Sequence, residues 1–197
     1  SAIALGRAQN MPKDNIERAI KKSYDENSEN YEEVRYEGFG IEGVGIIIET
    51  LTDNRNRTAG DIRSIFSKHG GNLGEIGSVS FMFNHIGVIK FSHDAGEFED
   101  IFEIATESGA LDCDLLEDSY EISCSTNDLH QVGEVIEKEI KIPTTAQLTW
   151  RPVTQIPLDK EKAIKVLAMI DVLDDHDDVQ EVFANFDMPE EIFNELS

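Results

Sequence analysis

A run of β-branched residues in the first third of the chain constrains the fold most strongly. Val44-Gly45-Ile46-Ile47-Ile48-Glu49-Thr50-Leu51 is almost continuously apolar, which predicts a buried strand. After a polar turn, Thr58 and Asp61 have the spacing of a helix cap, so we expect a helix that starts there and ends near His69. Three apolar residues of that helix would face the core: Ile62, Ile65 and Phe66.

The residues that follow extend this strand and helix. We predict a strand at residues 78–83, a hairpin turn at 84–87 and a further strand at 88–91. The order β-α-β-β is the first part of a split, ferredoxin-like unit. The missing helix and strand are predicted near the end of the chain, with the strand at residues 179–186. The helix would turn four apolar residues inward: Ala163, Ile164, Leu167 and Ile170.

A second set of predicted elements lies between these two parts, which indicates an inserted domain. It contains two amphipathic helices, beginning near Phe98 and Leu129, and short strands that end with residues 146–150. We therefore predict an α+β fold with three parts. Residues 1–30 are the remnant of an N-terminal helical domain, residues 31–92 with 153–197 form a discontinuous ferredoxin-like domain, and residues 93–152 form an inserted α/β domain.

The charge of the chain is strongly negative but unevenly distributed. Forty Asp and Glu residues against 17 Lys and Arg give a net charge of −23, and a chain this acidic is expected to avoid nucleic acid. Residues 1–70, however, contain 10 Lys and Arg and 12 Asp and Glu, so nearly all the excess lies in residues 71–197. The acidic part is typical of a solvated surface, and whole-chain charge does not decide what the first third binds.

Several classes of function find no support in the residues. There is no apolar run of the length that a membrane span needs, and we expect no signal peptide. Cys113 and Cys124 rule out a disulfide framework and are interpreted as small core residues. The histidines are scattered, and the aspartates around His176 lack the spacing of a calcium-binding loop. We expect no metal, no cofactor and no catalytic residue.

Four segments, taken in order, carry a likeness to a known family. They are Asn10-Met11-Pro12-Lys13-Asp14-Asn15-Ile16-Glu17-Arg18-Ala19-Ile20, Thr52-Asp53-Asn54-Arg55-Asn56-Arg57-Thr58, Gly70-Gly71-Asn72-Leu73-Gly74 with Gly77-Ser78-Val79, and Asp177-Asp178-Val179-Gln180 through Asn185-Phe186. These segments resemble the YebC family, whose mitochondrial members include the translational activator of cytochrome c oxidase, and the likeness extends over nearly the whole chain.

The resemblance implies an N-terminal helical domain and two α/β domains, the last inserted into the middle one. It implies no enzymatic activity. Bacterial members are described as probable DNA-binding transcriptional regulators, and others resemble translation factors that relieve ribosomes stalled at proline-rich stretches. The family also has a basic segment before the point where this chain begins, and the start at Ser1, without an initiator Met, leads us to expect a fragment.

The segment Asn54-Arg55-Asn56-Arg57 is the first candidate for a nucleic-acid contact. It lies between a predicted strand and a helix N-terminus, where free backbone N–H groups and the helix dipole attract phosphate. Arginine binds phosphate through two parallel hydrogen bonds, and asparagine can bind sugar or base edges. The alternative is structural: the asparagines cap the helix and the arginines pair with Asp53, Asp61 or Glu49.

Two other segments are weaker candidates. Lys68 to Asn72 encloses two glycines whose backbone could approach an anion, or it is only a helix C-cap and tight turn in which Gly71 and Gly74 supply positive φ. A predicted short helix near the start places Arg18, Lys21 and Lys22 on one face, with Lys13 beside it. That face either contacts a nucleic-acid backbone or is simply solvated.

Together these observations predict a non-enzymatic regulator of gene expression that binds nucleic acid. A ribosome-associated factor, bound to ribosomal or transfer RNA, is favoured over a DNA-binding transcriptional regulator, because no helix-turn-helix, zinc finger or basic zipper is present. A ligand-sensing ferredoxin-like module is a further alternative. We expect a monomer that does not bind membranes, in the bacterial cytoplasm or, for a eukaryotic member, in the mitochondrial matrix.

Overall fold

The computed structural model describes residues 31–140 and 143–189. The predicted helix that carries Lys13, Arg18, Lys21 and Lys22 lies outside the described residues. The chain divides into two compact units. Within the described part, one unit consists of residues 31–84 and 150–189, and the other of residues 85–140 and 143–149.

The described residues form ten strands and four α-helices, so the predicted α+β class is confirmed. In chain order the elements are β1 (Glu32–Phe39), β2 (Gly45–Thr52), α1 (Arg55–Lys68), β3 (Asn72–Leu73), β4 (Phe83–Ser92), α2 (Phe98–Ser108), β5 (Asp112–Leu115), β6 (Ser119–Ser125), α3 (Leu129–Glu139), β7 (Thr145–Pro152), β8 (Ile156–Pro157), α4 (Lys160–Asp174), β9 (Val179–Ala184) and β10 (Phe186–Asp187).

The discontinuous unit is built on an antiparallel sheet with the strand order β3-β1-β2-β9. Strand β2 is central, and the predicted buried strand at residues 44–51 is confirmed. Ile46 and Ile48 pack against residues of α1 and α4, while Ile47 packs on the opposite face with Val79, Phe83 and Trp150. Because both faces are covered, the strand has no polar alternation.

Strand β1 is not among the elements predicted from the sequence. The signal is present, since Val34 and Tyr36 are buried and alternate with polar residues. Helix α4 is also turned slightly from its predicted orientation. Val166, Met169 and Leu173 are buried with Ala163, whereas Ile164 is exposed.

The predicted strand at residues 78–83 is wrong. Residues Ser80–Met82 form a 3-10 turn instead. Glu37, only 1% exposed, accepts hydrogen bonds from the backbone N–H groups of Val79 and Ser80, both at 2.9 Å. These N–H groups are bound to a side chain of β1 and so do not form a ladder with a neighbouring strand.

Burial of the Glu37 carboxyl acts to raise its pKa, but hydrogen bonds from backbone N–H groups and the charge of Arg35 outweigh burial and hold that pKa below its usual value. Arg35 Nε lies 3.1 Å from Glu37 Oε1, an ion-pair distance without hydrogen-bond alignment. The guanidinium of Arg35 also stacks 4.9 Å from the ring centre of Trp150.

The second unit has the chain order β4-α2-β5-β6-α3-β7 and the sheet order β5-β6-β4-β7. This is the split βαβ arrangement that the sequence assigned to the other unit. The predicted strand at residues 88–91 pairs with β6 in this sheet, not with the strands of the first unit, so the predicted ferredoxin-like topology of residues 31–92 and 153–197 is wrong in this respect.

The predicted hairpin turn at residues 84–87 is also wrong, because β4 runs through it without a break. Gly87 pairs with Cys124, and a Cβ at Gly87 would lie 2.8 Å from Cys124 Sγ. Close packing, and not a turn, therefore accounts for this glycine. Cys113 and Cys124 are both free and buried. The division of the whole chain into three domains stays a prediction.

Candidate nucleic-acid interface

Helix α1 begins at the segment that the sequence singled out. Asn54 is the N-cap, and its side-chain oxygen accepts a hydrogen bond of 3.1 Å from the backbone N–H of Arg57. The predicted cap at Thr58 is wrong, since Thr58 lies one turn inside the helix and is fully buried. The structural alternative for Asn54, a helix cap, is thus what the structure contains.

A buried carboxylate holds this end of α1 in place. Asp178, which immediately precedes β9, is only 4% exposed, and its Oδ2 accepts hydrogen bonds from Thr58 (2.7 Å), Arg57 (2.9 Å) and Thr52 (3.2 Å). Burial acts to raise the pKa of Asp178, but these hydrogen bonds and the arginine charge outweigh burial and hold that pKa below its usual value.

The charge of Arg57 is largely balanced within the protein. Its Nη2 donates to Asp178 Oδ2 and to Asp53 Oδ1, the latter at 2.8 Å, and about half of the side chain remains exposed. Hydrogen bonding to Asp178, and then to Asp53, raises the pKa of Arg57. Asp53 is one of the partners that the structural alternative named, whereas Asp178 was not anticipated.

Arg55 differs from Arg57 although only one residue separates them. Its guanidinium is exposed and has no ion-pair partner among residues 31–140 and 143–189. Its backbone carbonyl accepts a hydrogen bond of 3.1 Å from the Tyr36 hydroxyl, which fixes the first turn of α1 to β1. Arg55 therefore presents an unbalanced charge from a firmly held position.

Unpaired cations are concentrated on α1. Within the described part of the chain, three Lys or Arg side chains make no ion pair or hydrogen bond, and all three lie on this helix: Arg55, Arg63 and Lys68. Six others pair with carboxylates, as Lys90 does with Glu121 at 2.8 Å. Paired cations attract a polyanion less, so α1 is the main source of unpaired Lys and Arg charge in the described residues.

Net charge separates α1 from the other helices. Helix α1 has four cations and one carboxylate, a net charge of +3. The corresponding net charges are −4 for α2, −2 for α3 and zero for α4, so of the four described α-helices only α1 is cationic. A helix of 14 residues is about 21 Å long, which leaves room for several phosphate contacts along it.

Arg63 was not among the predicted site residues, although it is one of the basic residues of the first third of the chain. Its spacing from Asn56 could have identified Arg63 as a site residue, because residues seven apart lie on the same side of a helix. Both side chains are exposed. Of the predicted site residues, Asn54 to Arg57 lie at one end of α1 and Lys68 about 20 Å away at the other, while Asn72 lies beyond the helix in β3.

The glycine segment after α1 forms a helix C-cap and turn. Gly70 has a φ of +76°, and the backbone N–H groups of His69, Gly70 and Gly71 donate to carbonyls of the last helical turns. The predicted positive φ of Gly71 and Gly74 is wrong. A Cβ at Gly71 would lie 2.6 Å from the Phe39 carbonyl oxygen, so close packing accounts for that glycine.

Asn72 is exposed in the short edge strand β3, where it pairs with Phe39 of β1. Lys68 lies in the last turn of α1, where a cation also interacts favourably with the helix dipole. The N–H groups of the turn are already bound within the chain and do not form an anion cradle, so the roles of Lys68 and Asn72 in binding stay predictions that depend on their side chains.

Metal-binding clusters and membrane-spanning helices are both absent from the described ranges. No group of three or more His, Cys, Asp or Glu residues there has the geometry to hold a metal ion. No helix there is long and apolar enough to cross a bilayer.

Comparison with known proteins identifies the family. Residues 31–186 match the family model described as the TACO1/YebC second and third domain. The chain belongs to the TACO1/YebC family. The fold is similar to the crystal structure of a conserved hypothetical protein, Aq1575, from Aquifex aeolicus, with 42% sequence identity and a TM-score of 0.76. The similarity covers 98% of this chain and 80% of that one.

Membership of the TACO1/YebC family indicates a regulatory role connected with nucleic acids, and the family is one of regulators and not of enzymes. The resemblance to this family that the sequence motifs indicate is thus confirmed. Two of the four motifs that carry that resemblance, Thr52 to Thr58 and Asp177 to Phe186, meet in the structure where Asp178 binds Arg57, Thr58 and Thr52.

Proposed function

We propose that this TACO1/YebC family protein is a non-enzymatic translation factor that binds ribosomal or transfer RNA on the ribosome and relieves stalling at proline-rich stretches. Helix α1 would make the principal contact of the described residues with the RNA backbone. The observation that carries the proposal is the concentration of unpaired cations, Arg55, Arg63 and Lys68, on this one helix. Lys13, Arg18, Lys21 and Lys22 are proposed to add contacts from the N-terminal segment.

The mechanism is one of position and orientation. Arg55 and Arg63 would bind phosphates through charge-assisted hydrogen bonds, and the held N-terminus of α1 would set the angle at which they meet the RNA. The acidic helices α2 and α3 would be repelled by RNA. Attraction at α1 and repulsion elsewhere would leave few docking orientations, which is what a factor acting at one ribosomal site requires.

The arginine assignment is tested by ribosome co-sedimentation over a salt series. The double variant Arg55→Ala/Arg63→Ala should bind more weakly, and the slope of log K against log salt should flatten by about 0.7–0.9 for each phosphate that the variant no longer binds. Lys165→Ala is the matched control, because Lys165 is an exposed cation that pairs with Glu161 at 2.6 Å. A double variant with the slope of the native protein would refute the assignment.

The ribosomal role is tested by identifying the bound nucleic acid in cells. Crosslinking followed by sequencing should recover ribosomal and transfer RNA. Recovery of promoter DNA would refute the ribosomal role and favour DNA-binding regulation of transcription. In a translation assay, native protein should increase the yield of full-length product from a proline-rich message more than the double arginine variant does. The yield from a message without proline runs should change with neither protein.

A further inference from the structure

Gly60 lies in the middle of α1 without an evident structural reason. A glycine inside a helix is less favourable than alanine, because it loses more conformational freedom on folding. The other described glycines have positive φ, as Gly70 does, or have neighbours near the position that a Cβ would occupy, as Gly87 does, except Gly133 of α3, where the nearest atom would lie at 4.0 Å. At Gly60 a Cβ would meet no atom within 4 Å, and the residue is exposed with φ in the ordinary range.

The residues around Gly60 suggest what occupies this space. Asn56 precedes it by four residues and Arg63 follows it by three, so both flank it on the same side of the helix. Both are exposed, and Arg63 is one of the three unpaired cations. No side chain therefore covers the helix backbone at Gly60. On the same face, the Asn56 amide lies about one turn before it and the Arg63 guanidinium about one turn after it.

We infer that a nucleic-acid backbone crosses α1 at Gly60, in direct contact with the helix backbone, with Arg63 bound to phosphate on one side and Asn56 bound to phosphate or sugar on the other. The inference rests on the proposed function and adds the place and the closeness of the contact. The choice of partner follows from charge complementarity, because the net charge of α1 is +3 and that of a nucleic-acid backbone is negative. Glycine is the residue that permits such a close approach of backbone to ligand.

Gly60→Gln in the full chain, with purified ribosomes as the probe, tests this inference. Glutamine is a good helix former, so the thermal midpoint should rise by about 1–3 °C. The added side chain should nevertheless weaken ribosome binding by about five-fold or more, because it holds the nucleic-acid backbone away from the helix. Gly60→Ala should also raise the midpoint and should weaken binding less. Greater stability together with weaker binding is a combination that a purely structural glycine would not give.

Two control variants separate this effect from general effects of substitution. Ala168→Gln introduces the same side chain at an exposed position of α4, whose net charge is zero. Gly133→Ala makes the glycine replacement in the middle of the acidic helix α3, where a Cβ would lie 4.0 Å from Ile89 Cδ1. Both controls should bind ribosomes as the native protein does.

The outcomes distinguish this inference from the proposed function. Native-like binding by Gly60→Gln, with weaker binding by Arg55→Ala/Arg63→Ala, would overturn the close contact and leave the function standing. Native-like binding by both would overturn both. Weaker binding by Gly60→Gln and by the arginine variant, with native-like binding by Ala168→Gln and Gly133→Ala, would support the contact at Gly60.

Discussion

Replacement of the buried Asp178 by asparagine should destabilise the unit formed by residues 31–84 and 150–189. Asp178→Asn keeps the shape of the side chain but removes the negative charge that its three donors bind. A hydrogen bond to a charged group contributes about 1.5–3 kcal/mol and one between neutral groups about 0.5–1.5 kcal/mol, so each bond weakens by about 1 kcal/mol. Thr52 and Thr58 are fully buried, and their two bonds together account for a destabilisation of about 2 kcal/mol.

The third donor adds little to this estimate. The side chain of Arg57 is 48% exposed, and water screens its pair with Asp178. For a chain of 197 residues, a destabilisation of about 2 kcal/mol lowers the thermal midpoint by about 4–8 °C.

Urea unfolding at neutral pH, followed by the fluorescence of Trp150, measures the effect. Trp150 is the only tryptophan and belongs to the same compact unit as Asp178. Asp187→Asn is the matched control, since Asp187 is an exposed aspartate of the same unit and should change stability by less than about 0.5 kcal/mol. Equal stability of the Asp178→Asn and Asp187→Asn proteins would refute the reasoning.

The effect should also depend on pH in a defined direction. The folded pKa of Asp178 lies below its usual value, so the ionised carboxylate stabilises fully above the usual aspartate pKa of about 3.9. That stabilisation disappears as pH falls through the folded pKa. The difference between native protein and Asp178→Asn should therefore be largest at neutral pH and shrink in acid, and a difference independent of pH would contradict the role of the charge.

Three other substitutions test separate parts of the structure. Glu37→Gln should destabilise the protein by about 2 kcal/mol in urea unfolding, because two backbone N–H groups would no longer have a charged acceptor. The control Glu33→Gln, at an exposed position, should change stability very little, and equal effects of the two variants would contradict the prediction. Arg57→Ala should leave the salt slope of ribosome binding nearly unchanged, whereas Arg55→Ala should flatten it by about 0.7–0.9; a flatter slope for Arg57→Ala would show that Arg57 contacts phosphate. Gly87→Ala should lower the free energy of unfolding by about 1–3 kcal/mol, measured by far-ultraviolet circular dichroism melts, because the new Cβ would lie within 3.0 Å of two side chains. Native stability of this variant would refute that packing.

The sequence predicted individual helices and strands better than it predicted which strands pair in a sheet. The helix at residues 160–174 is recognised from its apolar periodicity and the strand in the central sheet from its continuous apolar run, because both are local properties of the sequence. The sheet to which β4 belongs was predicted wrongly, because pairing between distant strands leaves no local signal in either strand. The strand predicted at residues 78–83 is wrong because the group that holds Val79 and Ser80 in a turn, the Glu37 carboxylate, lies more than 40 residues earlier in the chain.

The candidate site shows the same division. The sequence by itself determined that α1 is cationic in an acidic chain, that Asn54 to Arg57 lies at a helix start, and which family the chain belongs to. Only the tertiary structure decided which arginine pairs with a buried carboxylate. The sequence could indicate the pair of Arg57 with the nearby Asp53, but not that Asp178, 121 residues after Arg57, reaches that guanidinium and not the one of Arg55. Charge is fixed by residue type, whereas its neutralisation depends on which distant carboxylate folding brings within hydrogen-bonding distance.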